Sequence, residues 1–276
     1  MIDAELKKFS NDFFTENNVS VFDFALILGS GFAKTIHNFQ IIKSIPYADI
    51  PGFTSTSVPG HKGRLSLVKA SGRTGLIFEG RFHYYEGLSM RDVTKTVQLA
   101  WLSGARRLFI SNASGGVNPE MEIGDIMMVT DQINMMGDNP LRGSFDPNIG
   151  GRFLDMSECF SKGLNHLILQ AASKLNISLK KGTYVGVSGP IFETPAEYKF
   201  FRIIGADAVG MSTVPEVIMG HYLGMEVCCL SVITDLGVEG KIEKINHEQV
   251  IKNAELSADK VVRIYLEVLQ LLPEVG

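Results

Sequence analysis

The feature that most constrains the fold is a series of eight short, mostly apolar runs spread along the chain. They are "FALILG" (24–29), "LSLVKA" (65–70), "TGLIFEG" (74–80), "RLFISNA" (107–113), "DIMMVTDQI" (125–133), "TYVGVSG" (183–189), "DAVGM" (207–211) and "VCCLSVIT" (227–234). Continuous apolar runs of this length are typical of strands covered on both faces. Segments with helical spacing lie between them, at 90–104, 160–175 and about 247–271. This alternation predicts an α/β fold.

The chain is expected to form one domain, residues 1–276. Its length suits one large α/β domain or two small ones, but it contains neither a Pro/Ser-rich linker nor an internal repeat. Hydrophobic residues make up 45% and charged residues 20%, which is ordinary for a globular protein and excludes a disordered chain.

Charge and cysteine content exclude several classes of partner. The net charge of −4 gives no global basic field, so no nucleic-acid partner is expected. The sequence contains no run of about 18 apolar residues, so a membrane span is not expected. Residues 1–14 indicate an amphipathic helix rather than a signal peptide. Cys159, Cys228 and Cys229 lack the spacing of a zinc site. Such a sparse, apolar set favours a reducing cytoplasm.

Two segments carry the signature of a helix N-terminus. In "ETPAEYKFF", Thr194 is placed to cap the helix, with Pro195 in the first position and Glu197 in the third. "STVPEVIMGHYLG" repeats this pattern with Thr213 and Glu216, which predicts a second capping box.

Glycine-rich segments follow or precede several predicted strands. Residues 29–31 are Gly-Ser-Gly directly after a strand, and further glycines lie at 60–63 and 115–116. Each is either a tight turn or a loop whose backbone N–H groups can approach an anion. The first is neither a Walker A motif nor a GxGxxG fingerprint, because Lys34 stands three residues after Gly31. Together they predict an anion site at one edge of the sheet.

Other segments place polar groups beside these glycines. "PGHKGR" (59–64) and "GRFHYYEG" (80–87) each combine His with Arg, whose planar donors suit phosphate or carboxylate. In "GPIFETPAE", Phe192 and Glu193 are either a core residue and a helix-dipole partner or the contacts of a flat heterocycle. Asp235, after an apolar strand, is either a turn residue or a group aimed at a ligand. The loop at 135–157 is long enough to be functional.

Seven motifs, in order, resemble those of the trimeric purine nucleoside phosphorylase family. They are "LGSGF", "PGHKGR", "EGRFHYYEG", "SNASGGVNP", "GPIFETPAEY", "GADAVGMSTVPE" and "INHEQV", between about residues 24 and 255. The resemblance extends to methylthioadenosine phosphorylases, which share the fold. It implies a single α/β domain with a mixed, partly barrel-like β-sheet flanked by helices, and a homotrimer.

The resemblance also implies a role for each matching residue. Phosphate would bind Ser30, His61, Arg81, His83, the Ala113 backbone and Ser212. Ribose would contact Tyr85, Met211 and His247. The base would contact Phe192, Glu193, Val209 and Asp235, and the catalytic groups would be His83, Glu193 and Asp235. "GGRFLDMS" matches a segment that reaches a neighbouring subunit's site, so Phe153 would serve that site.

The implied reaction is the reversible phosphorolysis of purine ribo- or deoxyribonucleosides to free base and (deoxy)ribose 1-phosphate. Inorganic phosphate is the co-substrate, and no metal or organic cofactor is expected. The alternatives are a methylthioadenosine phosphorylase, a nucleoside hydrolase, a dinucleotide-binding oxidoreductase and an inactive binding protein. A hydrolase typically needs a cluster of metal-binding Asp residues, and an oxidoreductase needs a fuller glycine fingerprint.

Asp235 departs from the pattern of 6-oxopurine-specific members, which usually carry Asn at this position. An ionised carboxylate only accepts hydrogen bonds and suits a 6-amino group, whereas Glu193 matches the 6-oxopurine pattern. Two partly desolvated carboxylates raise each other's proton affinity, so one of them can stay protonated near neutral pH. We therefore expect a relaxed 6-oxo preference, with adenosine as a substrate. Methylthioadenosine fits less well, because His247 suits a 5′-hydroxyl.

Overall fold

The structure is a computed structural model that describes residues 2, 4–17, 19, 22–54, 58, 60–143 and 146–273. Pro59 of the "PGHKGR" motif and residues 144–145 of the long loop lie outside the described residues, as do parts of both ends of the expected domain. Within these ranges, no helix combines the length and the apolar character that crossing a membrane requires.

The chain alternates between strands and helices along its length. The strands are β1 (Phe24–Leu28), β2 (Gln40–Pro46), β3 (Arg64–Ala70), β4 (Arg73–Glu79), β5 (Arg107–Gly116), β6 (Ile126–Met135), β7 (Lys180–Val187), β8 (Ala208–Gly210) and β9 (Glu226–Leu236). The α-helices are α1 (Ala4–Asn17), α2 (Met90–Val93), α3 (Lys95–Leu102), α4 (Lys162–Lys174), α5 (Pro195–Ile203), α6 (Val214–Tyr222) and α7 (His247–Leu271). Short 3₁₀ helices occupy Ala33–Asn38, Tyr47–Asp49 and Tyr84–Glu86.

The sheet is mixed and partly closed into a barrel, as predicted. Its strand order is β2-β3-β4-β1-β5-β8-β7-β6-β9, and β9 also pairs with β5. Strands β5, β8, β7, β6 and β9 therefore form a closed ring, while β1, β4, β3 and β2 extend it as an open sheet. Pairs β1–β4, β1–β5 and β5–β9 are parallel, whereas β2–β3, β3–β4, β5–β8 and β6–β9 are antiparallel.

Helices cover both faces of the sheet, which explains the continuous apolar runs. All five residues of β1 are buried. Ala25 and Ile27 pack in one cluster with residues of α1, α3 and α6, and Phe24, Leu26 and Leu28 pack in another with residues of α4 and α7. A strand with helices on both sides has no face left for polar residues. The predicted amphipathic N-terminal helix is confirmed as α1.

One observed strand was not predicted, and one predicted helix is divided in two. Strand β2 was not predicted, because it pairs only with β3 at the sheet edge and none of its seven positions is buried. The helix expected at 90–104 is divided into α2 and α3 at Thr94, whose hydroxyl donates to the Arg91 carbonyl at 2.9 Å.

Of the two predicted capping boxes, one is confirmed and the other is wrong. Thr194 caps α5 and exchanges hydrogen bonds with Glu197. At α6, Thr213 has φ +67° and makes no side-chain cap bond. Its hydroxyl instead accepts from the Asn112 amide at 2.7 Å, and Glu216 pairs with Arg81. A partner 135 residues away in sequence has displaced the local cap.

The glycine-rich segments meet at one edge of the sheet, as expected. Parallel β1, β4 and β5 end there, which brings residues 29–31, 80–87 and 111–116 together. The segment at 60–63 joins them because β3 runs antiparallel to β4, and the Gly63 N–H donates to the Glu79 carbonyl at 2.9 Å.

Candidate active site

A cavity at this edge gathers nearly all the predicted site residues. It holds about 610 Å³ of empty volume, open solvent included. Its lining includes the predicted Ser30, Arg81, His83, Tyr85, Ala113, Phe192, Glu193, Val209, Met211, Ser212, Asp235 and His247. His61 stands behind this lining, with its Nε2 3.3 Å from Ser30 Oγ.

Arg81 is the buried cation of the site. Its side chain is 2% exposed and pairs with the equally buried Glu216 at 3.0 Å. Further guanidinium N–H groups donate to Ser212 Oγ at 3.2 Å and to the Ser111 carbonyl at 2.9 Å. Gly29 leaves the space for it, because a Cβ there would lie 3.0 Å from Arg81 Nη1. Three fixed acceptors hold the planar group in one orientation, which suits it to direct a remaining donor at an anion.

Two histidines and a tyrosine form a stack beside Arg81. The His61 and His83 rings lie 5.3 Å apart, and the His83 and Tyr85 rings lie 4.7 Å apart. Burial, the neighbouring His83 and Arg81 lower the pKa of His61 to about 3. Burial also lowers the pKa of His83, against the opposing effect of Glu86. Both rings are therefore neutral at pH 7 and offer one donor and one acceptor each.

The middle of the cavity combines aromatic, thioether and imidazole groups. Tyr85 and Met211 both lie against Gly189, where a Cβ would be 3.0 Å from Tyr85 Cδ1 and 2.5 Å from Met211 Sδ. His247, at the first position of α7, reaches the same cavity. A mixed apolar and polar wall of this kind suits a sugar, which has a hydrophobic face and a rim of hydroxyls.

A β-bulge sets the position of Asp235 at the far end of the cavity. Ser114 pairs with Ile233 and Gly115 with Asp235, so Thr234 is an extra residue in β9. Thr234 Oγ1 donates to Asp235 Oδ1 at 2.8 Å. The Asp235 carboxylate occupies the space above Gly115, where a Cβ would lie 2.8 Å from Oδ2.

Two carboxyl groups with raised proton affinity lie at this end. Burial raises the pKa of Glu193, and the nearby Asp235 and Glu197 carboxylates raise it further. Burial likewise raises the pKa of Asp235, although hydrogen bonds from Thr234 and Tyr198 oppose it. The pair therefore holds a proton more readily than exposed carboxylates do.

Phe153 does not join this cavity. Its side chain is 95% exposed and lies in a separate surface depression beside Arg152, Cys159 and Ile218. In a single chain, then, the predicted aromatic contact of a neighbouring site points to solvent.

Several residues near the cavity were not predicted. Asn112, Ser114 and Thr234 line it. The first two flank Ala113 in "SNASGGVNP", and Thr234 directly precedes Asp235. Glu216 and Tyr198 lie behind Arg81 and the carboxyl pair, respectively. Their sequence signals, a helix N-terminus and an amphipathic helix, concern local structure and gave no sign of these distant partners.

Among the described residues, no cluster of three or more His, Cys, Asp or Glu side chains is placed to hold a metal ion. All three cysteines are buried and free.

Comparison with known proteins gives the same family in sequence and in structure. Residues 23–270 match the family described as the phosphorylase superfamily. Purine nucleoside phosphorylase 1 of Geobacillus stearothermophilus is 44% identical over 230 residues, which cover 83% of this chain and 84% of that protein. Purine nucleoside phosphorylase of Mus musculus is 38% identical over 256 residues, which cover 90% and 89%.

Two solved structures from Schistosoma mansoni superimpose over nearly the full chain. Its purine nucleoside phosphorylase in complex with adenosine has a TM-score of 0.89 at 31% identity and covers 98% of both chains. Isoform 2 of that enzyme, in complex with cytosine and ribose-1-phosphate, has a TM-score of 0.91 at 33% identity and covers 99% of this chain and 98% of its own.

Proposed function

Because this chain belongs to the phosphorylase superfamily, and within it to the purine nucleoside phosphorylases, we propose that the cavity is where it cleaves its nucleoside. The observation that carries this assignment is that the two ends of the cavity differ in their chemical groups. Its Arg81 end gathers donors around a buried cation, and its Glu193–Asp235 end gathers carboxyl groups beside an aromatic ring.

Phosphate would bind at the Arg81 end. The cation is surrounded by hydroxyl, imidazole and backbone amide groups, which come from Ser30, His61, His83, Ser212 and Ala113. Because Arg81 is already paired with Glu216, the anion would be held mainly by directed hydrogen bonds rather than by excess positive charge. Charge-assisted bonds of this type are shorter and roughly twice as strong as neutral ones.

The ribose would lie between the two ends, against Tyr85, Met211 and His247. A phosphate oxygen would attack C1′ as the bond from C1′ to the purine nitrogen breaks, and the bonding electrons would pass to the purine. Positive charge that develops on the sugar is stabilised by the anion beneath it, and negative charge on the purine by a donor at its edge. Preorganised donors of this kind contribute about 3–4 kcal/mol each. The nucleophile is inorganic phosphate, and the proposed reaction uses no metal or organic cofactor.

The purine would lie against Phe192 and Val209, with Glu193 and Asp235 at its edge. A protonated Asp235 can donate to N7 of the leaving base as a general acid, and an ionised Asp235 can accept from a 6-amino group. We therefore propose that both 6-oxo- and 6-aminopurine nucleosides are substrates. A structural relative bound to adenosine supports the second class. His247 in the cavity favours a 5′-hydroxyl over a methylthio group.

The assembly we propose is a homotrimer in which Phe153 of one subunit completes the cavity of its neighbour. The proposal rests on the match of "GGRFLDMS" to the family's segment, and the 95% exposure of Phe153 leaves its ring accessible to a neighbouring subunit. The buried free cysteines support a reducing, cytoplasmic compartment.

The test of base choice is a kinetic panel with inosine, guanosine, adenosine and methylthioadenosine, each with and without phosphate. We expect phosphate-dependent cleavage of inosine and adenosine. Cleavage without phosphate would instead indicate a hydrolase. In Asp235→Asn, the amide is a permanent donor at the base edge, so the kcat/KM ratio of inosine to adenosine should rise by about tenfold or more, the equivalent of one hydrogen bond. An unchanged ratio would show that Asp235 does not set base choice.

A further inference from the structure

Thr213 occupies a strained turn between β8 and α6. It has φ +67° and ψ −54°, and the Val214 N–H donates to the Ser212 carbonyl at 2.7 Å. These features define a γ-turn of the rare, strained form. Positive φ is uncommon outside glycine, and a β-branched residue with positive φ is an outlier. Such strain persists only where the surrounding structure enforces it, so the threonine side chain is expected to make contacts that glycine could not supply.

The Thr213 hydroxyl has two partners in the interior. Thr213 is fully buried, and its Oγ1 lies 2.7 Å from Asn112 Nδ2 and 3.1 Å from Ser212 Oγ. The Asn112 amide is held at both ends, because its Oδ1 accepts from Ser231 Oγ and its Nδ2 also lies 3.6 Å from Cys229 Sγ. An amide nitrogen can only donate, so the Thr213 oxygen accepts the bond from Asn112.

This bond fixes the direction of the next one. Because Thr213 accepts from Asn112, its own proton must be donated elsewhere, and among the described residues Ser212 Oγ is the acceptor that lies within reach. The opposite direction would leave a buried hydroxyl proton without an acceptor, which is costly. Ser212 Oγ also accepts from Arg81 Nη1 at 3.2 Å. Both lone pairs of the Ser212 hydroxyl are then occupied.

The Ser212 proton is left for a ligand. Ser212 lines the cavity at its Arg81 end, whereas Thr213 stands behind the lining. We propose that Thr213 is a positioning residue that orients the Ser212 hydroxyl as a hydrogen-bond donor to phosphate. The proposal rests on the proposed function of the cavity. It explains why a β-branched side chain occupies a strained position, and hydrogen bonds in such a chain also strengthen one another.

The same turn positions a second partner of Arg81. Ser212 precedes the turn and Glu216 follows it in α6, and they contact the guanidinium at 3.2 Å and 3.0 Å. A change in the turn would therefore move both partners at once. A test of the hydroxyl must keep the backbone of the turn, and valine suits this because it is β-branched like threonine.

The test is the dependence of phosphorolysis on phosphate concentration in wild type and Thr213→Val, with inosine as the nucleoside. Loss of one hydrogen bond behind Ser212 should raise KM for phosphate by about three- to tenfold, while KM for inosine is unchanged. A purely structural role would lower the amount of folded enzyme, and hence the apparent kcat, and leave both KM values unchanged. Thr213→Ser returns the hydroxyl and should restore KM for phosphate.

Thr94→Val is the matched control. Thr94 is fully buried, accepts from the Gln98 amide at 3.2 Å and donates to the Arg91 carbonyl at 2.9 Å. Its hydroxyl thus has the same pattern of bonds as that of Thr213, but it lies between α2 and α3 and does not line the cavity. Thr94→Val should keep the wild-type KM for phosphate.

A second background tests whether Thr213 acts through Ser212. In Ser212→Ala the oriented donor is gone, so Thr213→Val should raise KM for phosphate no further. The same rise in both backgrounds, or an unchanged KM for phosphate in Thr213→Val alone, overturns the proposal. Cleavage by wild type that does not depend on phosphate would contradict the proposed function itself.

Calorimetric titration with inorganic phosphate tests the role without catalysis. The Kd for phosphate should rise by about three- to tenfold in Thr213→Val and return to the wild-type value in Thr213→Ser. Thr213→Ala removes the same hydroxyl from a smaller side chain and should show the same rise. If Thr213→Ala binds phosphate as tightly as wild type, the proposal is wrong, whatever the folding of Thr213→Val.

Discussion

His61 shows how the fold can fix the charge of a single residue. It stands between Ser30 and the backbone of Arg81 and is stacked on His83. Its pKa falls from the usual 6.5 to about 3, mainly because burial disfavours the charged ring. The imidazole therefore contributes hydrogen-bonding groups to the site without a charge of its own.

This shift predicts a loss of stability in acid. Between pH 6.5 and 3 the unfolded chain binds a proton at His61 that the folded chain does not, so the stabilisation is complete above pH 6.5 and declines as the pH falls. From pH 6.5 to 5 the loss from this one group is about 2 kcal/mol. Urea unfolding of wild type and His61→Asn at both pH values measures it, and the variant should lose about 2 kcal/mol less.

The exposed His166 on α4 is the control for this experiment. His166→Gln should keep the acid sensitivity of wild type. If His61→Asn also keeps it, the ring is protonated in the folded state, and its neutral role in the site is wrong.

Residues that belong to a motif could be predicted from the sequence, and residues that support them could not. Arg81 and His83 stand in a segment whose composition is unusual for a structural loop, whereas Asp235 follows an apolar strand and was assigned to the site through the family resemblance. The structure brings all three to one cavity. Glu216 and Tyr198 stand in helices whose patterns are satisfied by local roles. Their contacts depend on tertiary structure, which brings together Glu216 and Arg81 although they are 135 positions apart in the sequence.

At the scale of elements, the bulge in β9 converts a strand end into a ligand-facing position. The extra residue Thr234 breaks the alternation of the ladder, so Asp235 lies opposite Gly115. The space over Gly115 is then filled by the carboxylate instead of by a Cβ. A strand sequence alone does not reveal this arrangement, because the bulge depends on the register between β5 and β9.

Gly115→Ala should disturb Asp235 while leaving the sheet intact. The new Cβ would lie 2.8 Å from Asp235 Oδ2, so the carboxylate must move. A displacement of about 1 Å at a reacting group can cost roughly a hundredfold in rate, and we expect kcat/KM for inosine to fall by about tenfold to a hundredfold. Circular dichroism should show an unchanged fold.

Two comparisons make the cause of that loss identifiable. Gly163→Ala, in α4, adds a Cβ whose nearest neighbour is 3.6 Å away, and it should leave kcat/KM unchanged. In an Asp235→Ala background, Gly115→Ala should cost nothing further, because the displaced group is gone. A full additional loss there would mean that Gly115 acts on the backbone instead of on Asp235.

At the scale of the whole molecule, the apolar runs predict the class of fold but not its closure. A buried strand such as β1 can be recognised in the sequence from its apolar run, whereas β2, partly exposed at the sheet edge, cannot. The ring closes through the pairing of β5 with β9, which lie more than a hundred residues apart in the chain. No local pattern encodes that pairing, and the barrel-like sheet was expected only from resemblance to a family.

The proposed homotrimer would make the activity of one chain depend on its neighbour. If Phe153 completes the cavity of a neighbouring subunit, Phe153→Ala should raise KM for the nucleoside although its own cavity is intact. Light scattering after size exclusion should give the mass of a trimer for wild type. Substitution of Phe200, which is also exposed but on α5, provides a comparison for the loss of an exposed aromatic ring.

Mixed trimers test the direction of this contact. Glu193→Ala chains keep Phe153 but lack a base-binding carboxyl, and Phe153→Ala chains keep Glu193 but lack the aromatic ring. When the two are unfolded and refolded together, some intact cavities acquire Phe153 from a Glu193→Ala neighbour. Activity at low nucleoside concentration should then exceed the average of the two separate preparations. A mixture that shows only that average would mean that Phe153 acts within its own chain or not at all, because complementation requires a residue shared across the subunit boundary.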